Sequence, residues 1–230
     1  MDTGNRAQPI PSRVVRVPAG RALLESNLNL PPDAAGIVLF VHGSGSSRYS
    51  PRNRYVAEFL NRARLATLLL DLLTPEEEAV DQYSAELRFD IPMLSRRVVE
   101  AIEWTLRHPE TRWLRVGCFG ASTGAAAALV AAAELPEAVQ AVVSRGGRPD
   151  LAGPALDHVR TPTLLIVGSA DPEVLELNRQ AMARLKGVKE LKVVPRATHL
   201  FEEPGALETV AGMARDWFLQ HLAGAGRQAA

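Results

Sequence analysis

A serine framed by glycines, Gly120-Ala-Ser122-Thr-Gly124, follows an apolar run ending in Cys118 and precedes the alanine run that starts at Ala125. This is the G-x-S-x-G spacing of a nucleophile elbow. Such a turn between strand and helix holds a serine hydroxyl in a strained conformation, and it needs small neighbours so that the helix passes close to the strand. The hydroxyl is a weak nucleophile until a base takes its proton. Of the five histidines, only His42 and His199 follow apolar runs of strand length. His42 precedes the serine, whereas His199 completes the order serine, acid, histidine and is the expected base. The expected acid is Asp171, in Val167-Gly-Ser-Ala-Asp171-Pro-Glu173, which would fix the imidazole tautomer and stabilise its charged form. As an aspartate before proline it also suits a helix N-cap. Glu173 and Asp150 are the competing carboxylates.

Acyl transfer further requires donors for a tetrahedral oxyanion. The backbone N–H of Thr123, directly after the serine, is one candidate. The other is the N–H of Ser44 in His42-Gly-Ser44-Gly-Ser-Ser47, where glycines let the backbone turn its amides inward. A phosphate cradle is the alternative for this loop, but the G-K-[ST] ending and the G-x-G-x-x-G spacing are both missing. Arg48, Arg52 and Arg54 come next along the chain, and Arg145 and Arg148 follow a later strand. Arg48, Arg52 and Arg145 are candidates for holding an anionic substrate group, with solvated loop cations as the competing explanation. Cys118 is expected to be a buried small hydrophobe, and Asp71, Trp104 and Trp113 are expected to be structural.

Six apolar runs would carry these residues at their carboxyl ends: 36–41, 66–70, 114–118, 139–143, 163–167 and 191–194. Most are apolar at consecutive positions, as in parallel strands covered on both faces. Val14–Val17 and Arg21–Leu30, separated by Pro18-Ala-Gly20, predict an antiparallel hairpin ahead of them. Helices are expected over 51–64, 92–108, 172–186 and 205–222; in the second, Leu94, Val98, Ile102 and Leu106 form an apolar stripe. Strand–helix alternation predicts one α/β domain over 1–230, a mostly parallel sheet with helices on both faces, and flexible tails at 1–13 and 223–230. Ligands of such sheets bind beyond the carboxyl ends of the strands.

Composition narrows the function classes. Twenty-six basic and 26 acidic residues give zero formal net charge, which argues against a nucleic-acid partner. One cysteine excludes an internal disulfide and a multi-cysteine metal site. No run reaches the roughly 18 apolar residues of a membrane span, and the opening lacks the form of a secretory signal, so a cytoplasmic location is expected.

Taken in order, HGSGSS, GASTG, SADPEV and ATHLFEEPG resemble the α/β-hydrolase superfamily over nearly the whole chain. The short length is similar to its dienelactone-hydrolase-like branch. The resemblance implies an eight-stranded sheet, a Ser122–Asp171–His199 triad, an acyl-enzyme intermediate, a small ester or lactone substrate, and no metal or organic cofactor. It departs from true dienelactone hydrolases in carrying serine where they carry cysteine, so lactone specificity does not transfer. The stretch after 139–143 is too short for a helical lid, and Leu72 to Asp90, with Glu76 to Glu78, is expected to overhang the site. Thioesterase, peptidase and perhydrolase chemistry use the same triad. A non-catalytic binding protein on this scaffold would turn over no ester.

Overall fold

The computed structural model describes residues 10–223, and its organising element is one eight-stranded sheet. The strands are β1 (Ser12–Ala19), β2 (Ala22–Asn29), β3 (Gly36–Val41), β4 (Leu65–Leu70), β5 (Val116–Ala121), β6 (Val139–Arg145), β7 (Thr163–Gly168) and β8 (Lys189–Val194). Their spatial order is β1-β2-β4-β3-β5-β6-β7-β8. The hairpin β1–β2 joins β4 antiparallel, and every pairing from β4 through β8 is parallel. The interior strands β3, β4, β5 and β7 are buried at every residue, which accounts for their unbroken apolar runs.

Helices cover both faces. On one side α3 (Ile91–Arg107) contributes Leu94, Val98 and Ile102, and α4 (Thr123–Glu134) contributes its alanines. On the other side α1 (Pro51–Arg62) packs Val56 and Leu60 beside Val210, Trp217 and Phe218 of α6 (Ala206–Leu222). Helix α5 (Pro172–Arg184) follows β7. The segment after β6 is filled by short 3₁₀ turns over Pro149–His158, and no cap domain interrupts the fold. No helix among the described residues is long and apolar enough to cross a membrane.

Three of the differences from expectation bear on the site or the ends of the fold. The strand expected at 114–118 begins at Val116 and runs on to Ala121, because Gly120 pairs with Val41 and Ala121 with Arg145. The glycine-rich end is therefore ladder up to the serine itself. Ser12 and Arg13, expected in a flexible tail, belong to β1, where Ser12 faces Asn29. Of the expected tails, residues 1–9 and 224–230 lie outside the described residues. Finally, the overhang 72–90 contains a helix, α2 (Pro75–Ser84), started by a capping box in which the Thr74 and Glu77 side chains each hydrogen-bond the other's backbone N–H.

The tightest packing is at the elbow. Ser122 has φ 50° and ψ −124°, a left-handed conformation unfavourable for a residue with a side chain. A Cβ on Gly120 would lie 2.4 Å from Ala125 Cα, and one on Gly124 would lie 2.3 Å from the Val41 carbonyl oxygen and 2.4 Å from that of His42. Both glycines are thus steric necessities of bringing α4 against β3 and β5. The Gly124→Ala variant should lose about 3 kcal/mol or more in urea unfolding. Gly212→Ala, in α6 with open space around it, should be neutral or more stable by about 0.5–1 kcal/mol. Equal effects at the two positions would contradict this packing.

Candidate active site

Three strand ends converge on one hydrogen-bonded chain of side chains. His199 Nδ1 lies 2.7 Å from Asp171 Oδ2, and His199 Nε2 lies 3.3 Å from Ser122 Oγ. With the proton on Nδ1, the imidazole donates to the carboxylate and accepts from the serine hydroxyl. Asp171 precedes α5, yet its side chain makes no cap hydrogen bond and turns to the histidine instead. Among the described residues His199 bonds neither competitor; Asp150 is held bidentately by Arg148 at 2.9 and 2.8 Å.

Backbone pairing keeps Asp171 and His199 in register. The loops after β7 and β8 are zipped together by Ser169 N–H to Val194 O and by Ala170 N–H to Ala197 O, both 2.9 Å. They approach so closely that a Cβ on Gly168 would lie 2.1 Å from the Ala197 carbonyl oxygen. Glu203 Oε1 accepts the Thr198 N–H at 3.0 Å, and Phe201, two residues past the histidine, is buried in the core. The glycine of G-S-A-D and the glutamate of H-L-F-E-E therefore serve geometry.

The two expected oxyanion donors are neighbours. The Ser44 N–H donates to Thr123 Oγ1 at 2.9 Å, so it points at the elbow but already has a partner. The loop carrying it is tied down by His42, which is buried. The Leu72 N–H donates to His42 Nε2 at 3.0 Å, so the ring proton sits on Nδ1 and is donated to the Gly43 carbonyl 2.9 Å away. Burial lowers the His42 pKa from its ordinary 6.5 and keeps the ring neutral. Between this loop and the overhang lies an open cleft lined by Ser44, Thr123, Leu73, Asp81 and Arg88, among others.

The candidate arginines part company here. Arg48, expected at the mouth, is a buried clamp: its guanidinium pairs with Asp71 and with Glu25 (2.6 Å), and its N–H donates to Asp71 Oδ1 at 2.6 Å. Its charge is spent inside the fold, so the expectation of an anion contact at Arg48 is withdrawn, and Asp71 acquires its structural role. Arg52 and Arg145 instead lie together beside the histidine loop. Arg88, on the overhang, was missed in the sequence; Asp81, equally unforeseen, holds it through Nε at 2.6 Å. Only the local charge pattern D-x₆-R hinted at that pair. Cys118 is fully buried, and desolvation pushes its thiol pKa up to about 12, which leaves it unreactive at neutral pH.

Residues 62–220 match the model of the dienelactone hydrolase family. A dienelactone hydrolase structure from Anabaena variabilis is 59% identical, covering 92% of this chain and 98% of that one, with a TM-score of 0.91. Est1E from Butyrivibrio proteoclasticus, 15% identical over 92% of this chain and 99% of its own, shares the fold with a TM-score of 0.76. Two Mycobacterium tuberculosis proteins provisionally named phosphoribosyl transferases are 56% identical over 95% of this chain, which spans only 48% of their length.

The neutral, buried His42 has a consequence for acid stability. Below pH 6.5 the unfolded chain binds a proton there that the folded chain refuses, so stability falls as pH drops. The fall is expected to reach at most about 1.4 kcal/mol per pH unit from this group. Urea titrations at pH 6.5 and 5.5 should show the loss, and it should shrink in His42→Asn. An unchanged slope in the variant would assign the acid sensitivity elsewhere.

Proposed function

This chain belongs to the dienelactone hydrolase family, and on that premise we propose that it hydrolyses small carboxylic esters or lactones with Ser122 as nucleophile. The observation that carries the reading is the single imidazole bridging Asp171 at 2.7 Å and Ser122 at 3.3 Å, with the serine held at positive φ. His199 Nε2 takes the hydroxyl proton as Ser122 Oγ attacks the carbonyl carbon. The imidazolium so formed is stabilised by the Asp171 carboxylate. Negative charge develops on the carbonyl oxygen and is met by the two proposed donors, the Thr123 N–H at the start of α4 and the Ser44 N–H, which exchanges its Thr123 hydroxyl partner for the oxyanion. Collapse expels the alcohol, protonated by His199. Water then attacks the acyl-serine with the same histidine as base, releasing the acid and restoring the hydroxyl.

The provisional name of the mycobacterial relatives describes chains about twice as long as the shared region. The family match and the triad-like geometry both lie within that region, so transfer of a phosphoribosyl group is not proposed for this chain. With serine in place of cysteine, the lactone specificity of true dienelactone hydrolases is not carried over to this chain. No residue of the mechanism calls for a metal or organic cofactor.

A fluorophosphonate probe should label the folded protein at Ser122, and p-nitrophenyl acetate should be turned over. Ser122→Ala should abolish labelling and lower kcat by about 10⁴-fold or more. Asp171→Asn should lower kcat by about 10⁴-fold while leaving the fold intact, because the imidazole loses its required tautomer. Labelling that persists in Ser122→Ala, or an Asp171→Asn enzyme with parental kcat, would overturn the reading.

A further inference from the structure

One buried hydroxyl at the elbow keeps its proton unused. Six threonines are buried among the described residues: Thr67, Thr105, Thr111, Thr123, Thr161 and Thr163. Five of them give their hydroxyl proton to the fold. Thr105, Thr111, Thr161 and Thr163 donate to backbone carbonyls at 2.7–3.2 Å, and Thr67 donates to Asn61 Oδ1 at 3.5 Å. Thr123 is the exception. Its Oγ1 accepts the Ser44 N–H at 2.9 Å, and no acceptor among the described residues takes its own proton. Its place in the chain explains why. A threonine inside a helix returns its proton to the carbonyl four residues back, as Thr105 does to Ala101 and Thr209 to Gly205. Thr123 is the first residue of α4, and the residue four before it, Phe119, lies in β5, so that route is closed.

This hydroxyl stands beside the reacting atoms. It belongs to the residue after Ser122, and with Ser44 it lines the cleft between the β3 loop and the overhang. Gly43, which precedes Ser44, lies against the nucleophile: a Cβ there would stand 2.9 Å from Ser122 Cβ and 3.6 Å from Ser122 Oγ. A hydroxyl rotates, so it both accepts and donates, and it can turn its proton to an acceptor that arrives. In the resting site Oγ1 accepts from Ser44. When the Ser44 N–H transfers to the oxyanion, Oγ1 loses that donor, and its own proton can turn onto the same oxygen. A buried donor left without an acceptor weakens a fold. An acceptor bearing full negative charge would instead give it a bond of about twice the ordinary strength.

We propose that the Thr123 hydroxyl is a third donor to the oxyanion, so that Thr123 contributes its side chain as well as its N–H to the reaction. The inference rests on the hydrolase reading, and the test separates the two. Thr123→Val removes the hydroxyl with little change of shape, whereas Thr123→Ser keeps it. With p-nitrophenyl acetate, Thr123→Val should lower kcat by about 10²-fold with KM little changed, because the donor acts on charge that the bound ester does not yet carry. Thr123→Ala, which also lacks the hydroxyl and introduces no new bulk, should show the same loss, so the test does not depend on the folding of one variant. Thr123→Ser should keep kcat near the parental value. A trifluoromethyl ketone, whose adduct with Ser122 carries the same oxyanion, should bind Thr123→Val more weakly by about the factor lost in kcat/KM. The loop carrying Ser44 is also held by His42, so losing the hydroxyl leaves the Ser44 N–H in place and free. If the hydroxyl served only to occupy that N–H, kcat would hold or rise in Thr123→Val and Thr123→Ala. That result, in enzyme whose Ser122 is still labelled by the fluorophosphonate probe, would overturn the third donor and leave the hydrolase reading standing. A Thr123→Ser enzyme as slow as Thr123→Val would place the effect in packing and overturn it equally. Failure of the parental enzyme to be labelled at Ser122 or to turn over any ester would overturn both.

Discussion

The structure depends on a close contact between the start of one helix and the backbone of a neighbouring strand. Gly124, in the first turn of α4, faces the carbonyls of Val41 and His42 with no space for a methyl group, and Gly120 stands in the same relation to Ala125. This contact forces Ser122 into its left-handed conformation and lifts its hydroxyl off the end of β5. It also brings the loop after β3 beside the helix start, so that Ser44 and Thr123 touch. The proposed nucleophile and both candidate oxyanion donors are therefore positioned by one packing event deep in the sheet. The strain of order 1–3 kcal/mol at the serine is sustained by buried apolar surface on both faces.

The remaining parts are held by separate devices. Asp171 and His199 are set by the paired loops after β7 and β8, where the absence of a Cβ at Gly168 permits the approach. The overhang is set by ion pairs: Arg97 of α3 binds Glu77 of α2 through two 2.6 Å contacts, and Asp81 closes the turn onto Arg88. His42 links the loop after β3 to the start of the overhang, with one ring nitrogen on each. Its neutrality is a matter of geometry as much as of burial, because a doubly protonated ring has no lone pair for the Leu72 N–H. The site is consequently rigid where bonds are to be made and broken. The arginines differ too: Arg48, Arg88, Arg97 and Arg148 are paired with carboxylates within the fold, whereas the buried Arg145 has no carboxylate partner among the described residues.

Much of this was legible in the sequence, for identifiable reasons. Parallel strands buried on both faces announce themselves as apolar runs, and chemistry-bearing residues in such sheets follow those runs. Ser122, Asp171 and His199 could be named from that rule together with the G-x-S-x-G spacing and the order serine, acid, histidine, although Asp150 and Glu173 stayed in competition for the acid. Arg48 could not be judged, since its partners Glu25 and Asp71 lie 23 residues away on either side and nothing local reveals the pairing. The extension of β5 to Ala121 was hidden because Gly120, next to the serine turn, looks like a turn residue until the neighbouring strands supply ladder partners. Helix α2 was obscured by its weakly amphipathic, acidic composition; the signal that was overlooked is Thr74 three residues before Glu77, a capping box readable from sequence. The Ser44 N–H bonding to a threonine hydroxyl depends on side-chain placement across 79 positions of sequence, beyond the reach of any pattern.

The central claim is that the elbow serine carries the acyl group. Acid-quenching the enzyme during turnover of a slowly hydrolysed p-nitrophenyl ester, followed by peptide mass mapping, tests it most directly. The account predicts one acyl mass on the peptide containing Ser122, localised to that serine and absent from the Asp171→Asn enzyme quenched at the same time. Turnover with no acyl adduct under conditions that give a burst of p-nitrophenol, or an adduct on another residue such as Cys118, would contradict it.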